Sequence, residues 1–162
     1  MSESDTILYF AYGSNMYGPR MKKRVPSAHF YDVARLPGYY LAFRKLSRDG
    51  SAKCDLEPFE PQTVWGVIYC LDADERQYLD QAEGEGYRAV DVTVAAREGF
   101  IDVLTYRAKP DWLIDGLPYD WYRDLVVAGA REHDLPEPYT AGIGAMDAAT
   151  DPDSERAKRK RP

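Results

Sequence analysis

The chain has 162 residues, 44% of them apolar, which suits one domain with a single sizeable core. Its formal charge is −6; residues 149–162 carry five basic and three acidic side chains, so that tail is +2 and the body −8. So acidic a body repels phosphate backbones and anionic lipid surfaces, which argues against nucleic acid and membrane as partners of the domain.

No stretch is long and apolar enough to span a bilayer, and Met1 to Thr6 lack the basic-then-apolar pattern of a signal, so a cytoplasmic location is expected. Thirteen tyrosines are many for this length. Each brings apolar area with a polar tip, so several should line a wet pocket or an interface. Cys54 and Cys70 form no CxxC pair and are expected in strands as small buried hydrophobes.

In chain order, Ile7–Tyr12 is a continuous apolar run, the pattern of a strand buried on both faces. It stops at Gly13-Ser14-Asn15, and a short helix is predicted from about Met16 to Arg24, with Pro26 just beyond it. Strands are predicted near 28–36 and 39–43, separated by a Pro37-Gly38 turn, with a weaker one around Cys54–Leu56 and a central one over Val64–Leu71. Asp72 and Glu75 have the spacing of a capping box for a helix whose Tyr78, Leu79 and Ala82 share one side, and Gly84 suits a left-handed cap. Strands follow at 87–96 and 101–107. Pro118 opens a helix over 119–132 whose Tyr122, Leu125, Val126 and Ala130 recur at core spacing, and Pro136 and Pro138 stop it. Residues 149–162 are expected to be a disordered basic tail on a domain of residues 1–148. About seven short strands and about three helices indicate a mixed α+β fold on a barrel-like, curved β-sheet rather than a doubly wound one.

Two loops stand out. Tyr12-Gly13-Ser14-Asn15 joins a buried strand to a helix start, where free backbone N–H groups and the helix dipole favour anions. Taken locally, a plain capped turn accounts for it better, and no GxxxxGK[ST] phosphate loop is present. Glu83 ends the helix before Gly84, where the dipole's negative end raises a carboxyl pKa toward the range useful for proton transfer. Taken locally, Glu83 and Glu85 read better as solvated loop acids.

The other candidates are weaker. His29 and His133 are too few and scattered for a metal site, and a histidine at a helix C-terminus, as His133 is, is simply stabilising. There is no GxSxG and no nucleophile signature around either cysteine. Arg20 and Arg24, one helical turn apart, fit a solvated face better than a grip on a substrate carboxylate.

The pieces together resemble the gamma-glutamylcyclotransferase family. Leu8-Tyr9-Phe10-Ala11-Tyr12-Gly13-Ser14-Asn15-Met16, followed by Arg20, Met21, Arg24 and Pro26, looks like the family's opening. Val64-Trp65-Gly66-Val67, Leu79-Asp80 with Glu83-Gly84 and Tyr87, Gly129-Ala130 and Leu135-Pro136 follow in matching order over roughly residues 6–147. The resemblance reverses both local readings. It implies a barrel-like α+β fold and conversion of a gamma-glutamyl amino acid or amine to 5-oxoproline, with no cofactor and no metal. Glu83 is then the acid/base, with Tyr9, Phe10, Ala11, Tyr12, Gly13, Ser14, Asn15, Tyr87 and Tyr106 around the substrate. The segment between Glu83 and Tyr87 is shorter than in some members, which makes Glu85 the alternative register. The implied partner is a small gamma-glutamyl molecule, and the protein is expected to be a monomer or homodimer. A non-catalytic binding module on the same scaffold, or an interaction protein acting through the tail, are the rival functions. Under the catalytic reading, removing residues 149–162 is expected to leave catalysis intact.

Overall fold

Among the described residues five strands close into a barrel in the order β1-β3-β2-β4-β5. The structure, a computed structural model, describes residues 5–162; residues 1–4, which the sequence reading includes in the domain, lie outside the described residues. The strands are β1 (Thr6–Ala11), β2 (His29–Leu46), β3 (Ala52–Asp72), β4 (Tyr87–Ala96) and β5 (Gly99–Ala108). All neighbours pair antiparallel except β1 and β5, which close the barrel in parallel at Tyr9 and Leu104. Closure leaves no open sheet edge, and it lets one curved sheet bury Phe10, Leu56, Val64, Val67 and Ile68.

The expected α+β barrel is present, but its strands are fewer and longer. Pro37-Gly38 is a bulge inside β2 and not a turn. Pro37 pairs with Thr63 and Tyr39 with Pro58, so β2 stays on β3 on both sides of the irregularity. Pro58 and Pro61 of β3 lie at the same level and cannot donate to the ladder, and Gly38 adopts φ 85° there. The predicted strand around Cys54 and the central one over 64–71 are likewise one strand, β3. Both cysteines lie in it; Cys54 is buried and Cys70 half-buried.

Among the described residues five helices flank the barrel, where three are expected: α1 (Gly18–Arg24), α2 (Arg76–Glu83), α3 (Asp120–Glu132), α4 (Glu137–Gly144) and α5 (Ser154–Lys160). α3 buries Trp121, Tyr122, Leu125, Val126, Gly129 and Ala130 on one stripe, which includes all four residues the spacing predicts. Burying a side chain such as Leu125 contributes about 1.5–3 kcal/mol. α4 and α5 are the two helices not expected. Pro136 is the N-cap of α4 and Pro138 lies in its first turn, where a missing N–H costs nothing, so these prolines start a helix.

α2 follows a 3-10 turn at Ala73–Glu75, and the capping box does not form. Asp72 makes no side-chain cap, and the Glu75 carboxylate accepts from the Ser27 N–H at 2.8 Å. Only Leu79 of its apolar side is fully buried; Tyr78 remains 45% exposed because so short a helix touches the barrel along a narrow line. Gly84 does end the helix with φ 81°, a conformation that costs a side-chain-bearing residue far more.

The tail is ordered. Ala149 exchanges hydrogen bonds with Pro118 O and the Asp120 N–H at 2.8 Å each. Asp151, buried, accepts from Trp121 Nε1 at 2.9 Å and from both Nε and Nη2 of Arg156 at 2.7 and 2.6 Å. The Arg156 hydrogen bonds hold the Asp151 carboxyl well below its ordinary range. Part of the charged composition that suggests disorder in the sequence is therefore spent on internal pairing, Asp151 with Arg156 and Arg161 with Asp120, and Asp153 caps α5 through the Arg156 N–H at 3.0 Å.

Candidate active site

β1 delivers Tyr9 and then leaves the barrel at Tyr12-Gly13. Ser14–Met16 follow as a 3-10 turn, closed by Met16 N–H on Gly13 O and Tyr17 N–H on Ser14 O. Such a turn leaves its first donors, the N–H groups of Gly13, Ser14 and Asn15, without partners inside it. α1 itself begins later, at Gly18, whose N–H is taken by Glu132 Oε1 at 2.7 Å. The amides at the site thus belong to the 3-10 turn and not to the α-helix start that the sequence suggests.

Glu83, the last residue of α2, faces this turn across 68 residues of sequence. Asn15 Nδ2 donates to its Oε1 at 3.1 Å and to Tyr9 Oη at 3.1 Å, and Tyr9 Oη donates to the same Glu83 oxygen at 3.3 Å. Arg24 Nη1 donates to Asn15 Oδ1 at 3.1 Å and so fixes which end of the Asn15 amide points at Glu83. Burial pushes the Glu83 carboxyl pKa up, and the Arg24 charge and the Tyr9 hydrogen bond oppose it in part. Glu85 is exposed on the following turn and lines neither cavity described below.

The inner cavity, about 30 Å³, is walled by Tyr9, Tyr12, Tyr87, Tyr106 and Tyr122 together with the 13–15 turn, Arg24, Cys54 and Glu83. This is where the tyrosine excess goes. Their polar tips tie the walls to backbone: Tyr12 Oη donates to Tyr106 O at 2.5 Å and Tyr87 Oη to Cys54 O at 2.6 Å. The Tyr106 hydroxyl donates to Asp80 of α2, which fixes β5 against the helix that carries Glu83. Burial pushes the Cys54 thiol up to about 12, so no thiolate nucleophile is available beside Glu83 at neutral pH.

A wider outer cavity, about 270 Å³, shares Ser14, Arg24, Glu83, Tyr87 and Tyr122 with the inner one. Arg20 and Arg24 line it, so they are not on a solvated face. Lys45, Arg48 and Lys53, which sequence reasoning did not single out, also line it, as do Arg156 and Lys160, which it noted only as part of the basic tail. Only their scattered origin hid the cluster, because a basic cluster within one segment is visible in a sequence and one drawn from three segments is not.

Of the expected pocket residues, Tyr9, Tyr12, Gly13, Ser14, Asn15, Tyr87 and Tyr106 come together with Glu83 around one cavity. Phe10 and Ala11 do not line it. Both are fully buried in the core, Phe10 beneath Gly66, where an added Cβ would stand 2.7 Å from its ring. Among the described residues no group of three or more His, Cys, Asp and Glu could hold a metal ion, and no helix is long and apolar enough to cross a membrane.

A small barrel of this kind with flanking helices is the fold of cyclotransferase-type enzymes, and the relatives agree. Residues 63–143 match the AIG2-like family. The gamma-glutamylcyclotransferase of Mus musculus is 32% identical over 161 residues, covering 90% of this chain and 81% of that protein. That of Homo sapiens is 31% identical with the same coverage. A solved gamma-glutamyl cyclotransferase superposes with a TM-score of 0.84, at 27% identity, over 96% of this chain and 99% of its own. The chain belongs to the gamma-glutamylcyclotransferase family.

Proposed function

We propose that the enzyme converts a gamma-glutamyl amino acid or amine to 5-oxoproline and releases the amine, with Glu83 moving the protons. The observation that supports this most is the Glu83 carboxyl group, half-buried, oriented by Tyr9 and Asn15 and raised in pKa, opposite the amides of residues 13–15.

The substrate supplies both reactants. Its α-amine attacks its own γ-carbonyl carbon, so no enzyme nucleophile takes part. The α-amine arrives at neutral pH as an ammonium, and Glu83 as carboxylate accepts a proton from it. The new C–N bond forms, and negative charge collects on the γ-oxygen, where N–H groups of Gly13, Ser14 and Asn15 can donate to it. Glu83 then returns a proton to the departing nitrogen, and the old C–N bond breaks. The two protons lost by the ring nitrogen leave with the released ammonium, and no electrons are transferred. Acid/base transfer of this kind contributes on the order of 10²–10⁴ in rate, and holding the chain folded contributes several more kcal/mol.

The test is a panel of gamma-glutamyl amino acids and amines incubated with the purified protein and followed by mass for 5-oxoproline. The account expects 5-oxoproline and free amine in equal amounts. Release of free glutamate in place of 5-oxoproline would assign water, and not the α-amine, as the attacking group and overturn it.

A further inference from the structure

The outer cavity is strongly cationic, in a chain whose net charge is −6. Arg20 and Arg24 reach it from α1, Lys45 and Arg48 from the end of β2 and the loop after it, and Lys160 from α5. Among the described residues none of these five has a carboxylate oxygen within 4.0 Å. Lys53 and Arg156 add two more charges and are paired, Lys53 with Asp49 at 3.6 Å and Arg156 with Asp151 at 2.6 Å. Against these seven cations the wall holds two carboxylates, Asp49 and Glu83.

So many cations in one cavity carry an electrostatic cost. Arg20 Nε is buried without a hydrogen-bond partner, an unfavourable state for a charged group. Burial, then the charges of Arg20, Lys160 and Arg24, lower the Lys53 pKa to about 8 against the pull of Asp49. Lys160 is lowered in the same way, by burial and then by Arg20 and Arg24. The repulsion among desolvated cations brought together from three separate segments is what a bound polyanion offsets. Glu83 stands at the boundary of the two cavities, so a substrate whose γ-carbonyl meets it directs its amine half into the cationic one.

We infer that the outer cavity is a vestibule for the leaving half of the substrate, and that this half carries at least two negative charges, from carboxylates or a phosphate. The inference rests on the cyclotransferase reading above and adds to it the class of leaving amine. It also gives the C-terminal segment a role, since Lys160 and Arg156 come from α5, so removing residues 149–162 should lower turnover of such substrates and not leave catalysis intact.

The experiment compares kcat/KM for 5-oxoproline release from gamma-glutamyl-glutamate, gamma-glutamyl-phosphoserine, gamma-glutamyl-glutamine and gamma-glutamyl methylamide. The two multiply charged peptides should exceed gamma-glutamyl-glutamine by about tenfold or more, the effect of one well-made charged contact, with the methylamide lowest. The larger of the two identifies carboxylate or phosphate as the preferred anion. Added salt and the substitutions Arg48→Met and Lys53→Met should each shrink the ratio at least about threefold, because both act on the same Coulombic attraction. Rates for the glutamate, phosphoserine and glutamine peptides within about twofold of one another, or a preference indifferent to both substitutions, would overturn the inference while leaving the reaction standing. If no peptide yields 5-oxoproline, the cyclotransferase reading fails. Calorimetric Kd values for the same peptides then decide the vestibule separately: tighter binding of the multiply charged ones upholds it, and equal or absent binding removes it.

Discussion

Gly129 of α3 lies against the turn that carries Asn15, and replacing it with alanine should damage both stability and turnover. A Cβ at Gly129 would stand 2.6 Å from Tyr17 N, 2.7 Å from Met16 Cβ and 2.8 Å from the Met16 carbonyl carbon. Backbone atoms are among these, so the strain cannot be relieved by a side-chain rotation. Alanine gains about 0.5–1 kcal/mol over glycine in a helix. Overpacking a tight contact costs about 1–3 kcal/mol, so the cost wins. At about 2–4 °C per kcal/mol for a chain of this length, the midpoint should fall by a few degrees. Gly142 in α4 provides the control. Nothing stands within 4 Å of its added Cβ, so the helix gain is unopposed and the midpoint of Gly142→Ala should rise. Calorimetric melts of both variants, with a 5-oxoproline assay at saturating substrate, test the pair. A displaced Met16 also shifts Asn15, whose Nδ2 lies 3.1 Å from Glu83, so kcat of Gly129→Ala should drop as well. A Gly129→Ala protein that melts above the parent and turns over at the parental rate would refute this reading of the contact.

The remaining expectations concern protons and the tail. Burial raises the Glu83 carboxyl, and in the proposed mechanism the carboxylate is the active form, so the acid limb of kcat/KM should lie above the ordinary glutamate value of about 4.3, with the rate falling as pH drops through it. Tyr9→Phe removes a hydrogen bond that lowers that pKa, so the limb should move to higher pH; a move to lower pH contradicts the assigned donor. A carboxyl whose folded pKa is raised stabilises the fold below its unfolded pKa, and that contribution is lost as pH rises through the folded one. Glu83→Gln should therefore melt at or above the parent at pH 8, by scanning calorimetry. Deleting residues 149–162 strips the Asp151 partner from Trp121, so the midpoint should fall and tryptophan emission shift to the red. Asp151 has a depressed folded pKa, so its contribution is present above the ordinary aspartate range and lost as pH falls below it.

Local signals in the sequence were readable wherever one segment decides the outcome. The apolar run of β1, the central part of β3, the core stripe of α3 and the positive φ at Gly84 all follow from spacing or from one residue's conformational freedom. Signals that depend on a neighbour were not. Pro37-Gly38 reads as a turn until Pro58 and Pro61 are set opposite it, and Pro136 and Pro138 read as stops although each can begin a helix. The tail shows its composition but not that Asp151 and Arg156 find each other beneath Trp121. At the site, Tyr9, Asn15 and Glu83 carry no mutual signal in sequence, being up to 74 residues apart; only the resemblance joins them. Arg20 and Arg24 suggest a solvated surface because the β2–β3 hairpin and α5, which complete the vestibule around them, are invisible from α1.

Turnover of Glu83→Gln beside Glu85→Gln tests the central claim most directly, with circular dichroism to show both remain folded. The amide introduced by Glu83→Gln can still accept from Tyr9 and Asn15 but cannot take up a proton near neutral pH. 5-Oxoproline release should fall by about 10²–10⁴ in Glu83→Gln and stay near parental in Glu85→Gln. A folded Glu83→Gln enzyme with parental turnover, above all beside an inactive Glu85→Gln, would contradict the account.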